Sequence, residues 1–142
     1  MRQILIPIDP SNEARTRSAI AEAVNLYRQE PVHIRLLRVQ PRLTAHVAMF
    51  FGDHELHQLQ QQTGAEELQF AKGLLDAAGV PNTSTVRIGR SAPTIVAVAR
   101  ELGCDRIIFG QAASGRAGSL FGSLAQQVRH LMGPNEAQVL GS

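Results

Sequence analysis

The sequence predicts a single-domain α/β protein, a doubly wound five-stranded parallel sheet with helices on both faces. Three observations predict it. Short, nearly continuous apolar runs such as Ile4-Leu5-Ile6-Pro7-Ile8 and Ile107-Ile108-Phe109 read as strands buried on both faces. Segments with helical spacing alternate with these runs, which calls for right-handed crossovers and a parallel sheet. At 142 residues, 44% hydrophobic and 18% charged, the chain has the length of one domain and enough apolar surface for a core. No boundary or internal repeat divides it, so residues 1–142 read as one unit.

The elements follow in order. Pro7 inside the first strand marks a place where no ladder donor is needed. Asp9-Pro10-Ser11-Asn12 is a turn into a helix over Glu13 to Gln29, with Ile20, Ala23, Val24 and Tyr27 at helical spacing and Pro31 ending it. Val32 to Val39 is the second strand, where Arg35 and Arg38 interrupt the apolar pattern and place one end at the rim. Pro41 to Gly52 is a loop in which Val47, Ala48, Met49, Phe50 and Phe51 either fold over the core or cover a partner. Asp53 to Ala78 carries the longest helical signal, through Leu56, Leu59, Thr63, Leu68, Ala71, Leu74, Leu75 and Ala78. Gln58, Gln60, Gln61 and Gln62 form its solvated side, and Gly64 and Gly73 are points where it can break. Gly79-Val80-Pro81 stops it.

Thr83 to Ile88 is the third strand, broken by Gly89. The next helix has Pro93 in its first turn, Ile95, Val98, Ala99 and Leu102 on its buried face, and Gly103 at its end. Arg106 to Phe109 is the fourth strand and enters a glycine-rich stretch at Gly110. Ser123 to Met132 is the last helix, with Leu124, Val128 and Leu131 on one face. Gln138-Val139-Leu140 is a terminal strand.

Composition excludes several functions. With 14 basic and 12 acidic side chains the net charge is +2, too even for bulk attraction to nucleic acid or to a membrane. Lys72 is the only lysine, and arginine accounts for the pI near 9.3. No Trp is present and aromatic residues are 4%, which argues against base stacking on single strands. One cysteine, Cys104, leaves no internal disulfide and no multi-cysteine zinc cluster; it reads as a core thiol. Neither a membrane-spanning run nor a signal peptide is visible, so the expected compartment is the cytoplasm.

Doubly wound sheets bind ligands beyond the carboxyl ends of their strands. The tails to inspect are therefore Asp9-Pro10-Ser11, Val39-Gln40-Pro41 and Gly110 to Ser123. The last has four glycines in fourteen positions between a strand and a helix, where backbone amides and a helix N-terminus can hold an anion. Such a loop is equally often structural. Gly110 to Gly115 has the Walker A spacing, but Arg116 and Ala117 stand where Lys and Ser/Thr belong, so that motif fails. Ser123 with Gln126 fits a capping box. Asp9 is either an acceptor for a ribose or adenine group or an Asx turn capping the first helix. Arg38 and Arg116 either pair with phosphates or are solvated or dimer contacts. His46, His54 and His57 lack the acidic or cysteine partners of a metal site. No Ser/His/Asp set marks a dedicated catalyst. A slow ATP hydrolase is the least supported reading, because Asp9 is the sole candidate base or metal carboxylate.

The whole chain resembles the universal stress protein family. The pieces that carry the resemblance are Ile4 to Ser11, Leu36-Leu37-Arg38-Val39-Gln40-Pro41, Leu74 to Val80, Gly89 through Gly103, Ile107-Ile108-Phe109-Gly110 and Leu120 to Val128. It implies an adenine nucleotide alpha hydrolase-like fold, a homodimer, and in some branches ATP or a related adenine nucleotide with Mg. The ATP-binding branch has Gly-x2-Gly-x9-Gly-Ser/Thr after the fourth strand. Gly110 matches the first glycine and Gly122-Ser123 the last pair, whereas Ala113 replaces the second glycine and the spacing to Gly122 is one residue short. Gly115 and Gly118 stand inside the shortened loop. The implied nucleotide site takes Asp9, Pro10, Ser11 and Val39 from the first two strand tails. From the fourth strand, the loop and the last helix it takes Phe109, Gly110, Ala113, Gly115, Gly122, Ser123 and Leu124. Pro10 departs from the family's glycine, and the last strand is unusually polar at Glu136 and Gln138. The resemblance therefore leaves two functions open: a nucleotide-binding regulatory or stress-protective dimer, or an interaction module that binds partner proteins without nucleotide.

Overall fold

The computed structural model describes residues 1–43, 49, 52–111 and 120–141, with the side chains of residues 120–122 left aside. The chain forms β1 (Arg2–Pro7), α1 (Glu13–Gln29), β2 (Val32–Gln40), α2 (Asp53–Ala77), β3 (Asn82–Ile88), α3 (Ser91–Leu102), β4 (Cys104–Ile108), α4 (Leu120–Leu131) and β5 (Gln138–Leu140). The sheet has five parallel strands in the order β3-β2-β1-β4-β5. Strand order reverses between β1 and β4, so the crevice for a ligand lies over their carboxyl ends.

Alternation along each strand feeds two cores. Ile4, Ile6, Ile34, Leu36 and Ile108 meet Ala19, Ile20 and Ala23 of α1 and Leu68, Ala71 and Leu75 of α2. Leu5, Leu37, Val39, Ile107 and Phe109 meet Ile95, Val98 and Ala99 of α3 and Ala125 and Val128 of α4 on the opposite face. The Pro7 expectation holds for a geometric reason. Ile8 N–H donates to the Leu37 carbonyl at 2.9 Å, so the neighbouring Pro7 nitrogen faces β4. Registered pairing with β4 has already ended there at Leu5↔Ile107.

Three expectations are corrected. First, the buried row of α2 is Gln60, Gly64, Leu68, Ala71 and Leu75. Leu59 is 46% exposed and Gln60 only 6%, with Gln60 Nε2 donating to the Pro41 carbonyl at 2.8 Å. Gly64 sets this rotation, since a Cβ there would lie 2.5 Å from Val86 Cγ1 on β3. Close approach of helix to strand, not a break, is what this glycine supplies. Second, β2 is an interior strand, and its arginines are held by Gln3 (Arg35 Nε to Oε1, 2.9 Å) and by Glu67 (Arg38 Nε to Oε1, 3.0 Å). Third, Glu136 precedes β5 and is forked by Arg100 at 2.6 and 2.8 Å, which with the Gly133 N–H holds its carboxyl down at about 2.

The end of α2 is as expected. Gly79 at φ 72° and the bonds Gly79 N–H to Asp76 and Val80 N–H to Leu75 close a Schellman motif. A pair of substitutions tests the α2 packing by thermal melting. A methyl added at Gly73 would meet nothing within 4 Å, so Gly73→Ala should gain about 1 kcal/mol from helix propensity. Gly64→Ala has the same propensity gain but must push Val86 aside, at a cost of about 1–3 kcal/mol, and should melt lower than wild type.

Candidate functional site

At the tail of β1 the Asp9 Oδ1 accepts from Ser11 N–H at 3.0 Å and from Ser11 Oγ at 2.5 Å. This is an Asx turn, one of the two readings of Asp9 from the sequence, but the helix cap belongs to Asn12, whose Oδ1 accepts from Arg15 N–H at 3.0 Å. Pro10 and Ser11 form the exposed turn between them.

At the tail of β2, Val39 buries its side chain in the α3/α4 core. The Leu37 carbonyl accepts from β1 and the Gln40 carbonyl accepts from Gly89 beside β3. Alternation therefore turns the Val39 backbone toward β1, beyond the last registered pair Pro7↔Leu37 and over the Asp9 turn.

At the tail of β4, Phe109 is 0% exposed, and its N–H donates to Leu140 at 2.8 Å. Its side chain belongs to the core. Gly110 follows at φ 76°, where a Cβ would overlap the Arg15 carbonyl oxygen and stand 3.0 Å from Ala19 N. Gly141, at φ 104°, also packs against the Gly110 backbone, with a hypothetical Cβ 2.5 Å from the Gly110 oxygen. Gly110 is thus required by close backbone approach, and the backbones concerned are those of α1 and the β5 tail. Arg15 Nη1 donates to the Gly110 carbonyl at 3.1 Å, and Ser18 Oγ accepts from Gln111 N–H at 3.2 Å. Burial pushes the Arg15 guanidinium toward losing its proton, while the Asp9 carboxylate acts to hold it.

α4 begins at Leu120, one turn earlier than predicted, so Ser123 is an exposed residue within the helix and does not cap it. The apolar spacing Leu120, Leu124, Val128 extends the helical stripe back one turn, which explains the earlier start. The first-turn N–H groups of a helix find no partner within it, and in α4 these are the amides of Leu120, Phe121 and Gly122. Leu124 is half-buried against the α3/α4 core. Ala113, Gly115, Gly118 and Arg116 lie outside the described residues, as do His46, Phe50 and Phe51.

Between the β1 tail, α1 and α2 lies a cleft of about 250 Å3 lined by Ile8, Asp9, Glu13, Thr16, Glu67 and Phe70. Glu67 accepts from Arg38 and, at 2.5 Å, from Gln40 Nε2, which pins it in the cleft wall. Phe70 is covered by the Arg17 guanidinium 4.9 Å from its ring centroid. Arg38 is therefore committed to a carboxylate and is not a solvated residue. Sequence reasoning missed Arg15 and Glu67, and named Gln40 only as part of the β2 tail. The signal for Arg15 was its place in the i, i+4, i+8 row with Ala19 and Ala23; that for Glu67 was its place one residue before Leu68 in the buried row of α2. Cys104 is a core thiol, pushed up to about 11 by burial and so protonated at neutral pH. His54 and His57 face solvent, and no group of three metal-ligating side chains converges among the described residues.

A five-stranded parallel sheet whose strand order reverses between β1 and β4, with helices on both faces and the Asp9 turn at the β1 tail, defines a doubly wound α/β protein. The family model described as the universal stress protein family matches residues 1–132, and the chain belongs to that family. No curated protein matches the sequence. Among solved structures, a universal stress protein from Archaeoglobus fulgidus in complex with dAMP is similar at TM-score 0.68 and 17% identity, covering 99% of this chain and 97% of that one. A family member from Burkholderia pseudomallei is similar at TM-score 0.67 and 19% identity, covering 99% and 94%. One from Arabidopsis thaliana with AMP bound is similar at TM-score 0.66 and 16% identity, covering 99% and 90%. No described helix is long and apolar enough to cross a membrane.

Proposed function

We propose that this protein binds an adenine nucleotide across the tails of β1, β2 and β4 and acts as a cytoplasmic regulatory or stress-protective homodimer. The observation that carries the reading is the convergence of the Asp9 turn, the Val39 backbone and Gly110 at the switch point. Similar structures with dAMP, AMP and cAMP support the same ligand class. Charge orients the ligand. The cleft wall holds three carboxylates, Asp9, Glu13 and Glu67, which repel phosphate and suit the base and ribose. The phosphates belong toward the first-turn amides of α4, which favour an anion. ATP with Mg is the fullest ligand on this reading.

Isothermal titration of nucleotide-stripped protein with Mg-ATP and with AMP tests it, and micromolar binding is expected. Gly122→Val should remove that binding while the melting temperature holds, because Val is a better helix residue than Gly. Retained affinity in a folded variant would reject the Gly122 assignment. A second reading, a partner-binding module indifferent to ATP, is favoured by the 81% exposure of Met49 in the apolar loop and by Ala113 in place of glycine. It predicts a folded dimer that shows no heat with ATP and loses its partner when Phe50 and Phe51 are made polar.

A further inference from the structure

We propose that the outer edge of β3 is a docking surface for an extended acidic segment of a partner protein, which adds as a strand beside Ser84 and sets its carboxylates against Arg35 and Arg87. The inference is independent of the nucleotide reading, because β3 is an edge strand two places from the β1/β4 crevice.

The face of the sheet that begins as the α3/α4 core ends as a polar surface. Register puts Arg35, Thr83, Thr85 and Arg87 on the same side as Leu5, Leu37 and Val39. On this side α3 packs on β1, β2 and β4, and α4 packs on β5. β3 takes its helix packing from α2, on the opposite side, where Gly64 meets Val86. Thr83 is therefore exposed, and Arg35, Thr85 and Arg87 are half-buried.

Charge on this surface is unbalanced. Arg2, Arg17, Arg38, Arg87 and Arg100 each hold a carboxylate. Arg35 holds none among the described residues; its Nε donates to the neutral Gln3 Oε1 at 2.9 Å. Burial and then the Arg35 charge push the nearby His33 toward its neutral form. A guanidinium half out of water without a counter-charge favours an arriving carboxylate, which it can take in a fork. Thr85 separates its neighbour Thr83 from Arg87, so the fitting segment carries acidic residues at alternate positions on one face.

The backbone at this edge is open to a strand. The Pro81 carbonyl accepts from Ile34 N–H and Gly89 N–H donates to the Gln40 carbonyl, both at 3.0 Å. Odd-numbered residues between them thus face β2, and Asn82, Ser84, Val86 and Ile88 turn their backbone groups outward. Gln61 Nε2 covers the Val86 carbonyl at 3.3 Å, and Lys72 Nζ reaches the Asn82 side chain at 3.4 Å. Ser84, between these two, has neither outward group engaged among the described residues. Charge guards an edge when it stands on the edge strand itself. Here the unbalanced charge sits one strand inward, on β2, and the edge strand offers Thr83, Thr85, Val86 and Ile88, which favour strand pairing. Main-chain bonds to such an edge give affinity, and the alternate side chains give specificity.

The test is fluorescence anisotropy of a labelled peptide with the full chain. The probe is a blocked peptide as long as β3, in which glutamate alternates with threonine. Wild type should bind it, and should bind the version with glutamine for glutamate about tenfold more weakly. Arg35→Gln should weaken the acidic peptide about fivefold or more. Ser84→Pro removes an N–H that points away from β2, so the melting temperature should hold while peptide binding disappears. Should that variant fail to fold, methylating the peptide's backbone nitrogens gives the same test on wild type. No binding of the acidic peptide, or equal binding of the glutamine version, would overturn the inference. Binding that survives both Ser84→Pro and backbone methylation would overturn it as well, because no strand would then be added. Displacement by inorganic phosphate or by oligouridylate as effective as that by unlabelled peptide, at matched ionic strength, would assign the surface to small oxyanions or to a polynucleotide instead.

Discussion

Gly110→Ala is expected to lower the thermal midpoint by roughly 10 °C, corresponding to about 3 kcal/mol for a chain of this size. Two costs add. The native φ of 76° lies in the left-handed region, where a Cβ costs roughly 1–2 kcal/mol. The added methyl would also overlap the Arg15 carbonyl and lie 3.1 Å from the Ala19 Cβ. Overpacking of that kind costs about 1–3 kcal/mol, and backbone neighbours have little room to yield. Loss of ligand binding in this variant would therefore report loss of structure. That separates it from Gly122→Val, where binding should go and the fold should stay. A Gly110→Ala protein melting within about 2 °C of wild type would show that α1 and the β5 tail can retreat, and the packing account would fail.

Phe109→Ala is expected to cost about 3–5 kcal/mol, read as a lower urea midpoint with an unchanged slope. The side chain is 0% exposed in the core between the sheet and helices α3 and α4, so its removal leaves a cavity in that cluster. Its N–H also holds Leu140, the last residue of β5, at 2.8 Å. Ligand affinity, measured at a temperature where the variant is folded, should change far less than stability. The opposite pattern, full stability with lost nucleotide binding, would place the ring against the ligand and correct the core assignment. The two variants bracket the β4 tail: one side chain that packs, then one glycine that permits backbone contact.

Much of the candidate site was legible because strand tails can be counted from element order. Asp9, Val39 and Gly110 fall at the ends of strands that alternate with helices, and the sheet order puts the reversal between β1 and β4. Arg15 and Glu67 were not legible in the same way. A charged residue on an apolar stripe reads as solvated until a specific partner is known, and their partners lie 95 and 29 residues away, at Gly110 and Arg38. Ser123 misled because a serine three residues before a glutamine satisfies the local rule for a cap; the longer apolar stripe starting at Leu120 overrode it.

Element type and order were determined by the sequence itself: α1 over Glu13–Gln29, the Gly79 stop of α2, the Gly103 end of α3 and β5 over Gln138–Leu140. These depend on local periodicity and on glycine and proline chemistry, which act within a few residues. Only the tertiary structure decided which side of α2 is buried, why Gly64 and Gly110 must be glycine, and that an arginine sits inside the protein. Those outcomes are set by contacts such as Gly64 with Val86 and Gly110 with Arg15, between segments far apart in the chain, and steric fit and desolvation exist only once the segments have met.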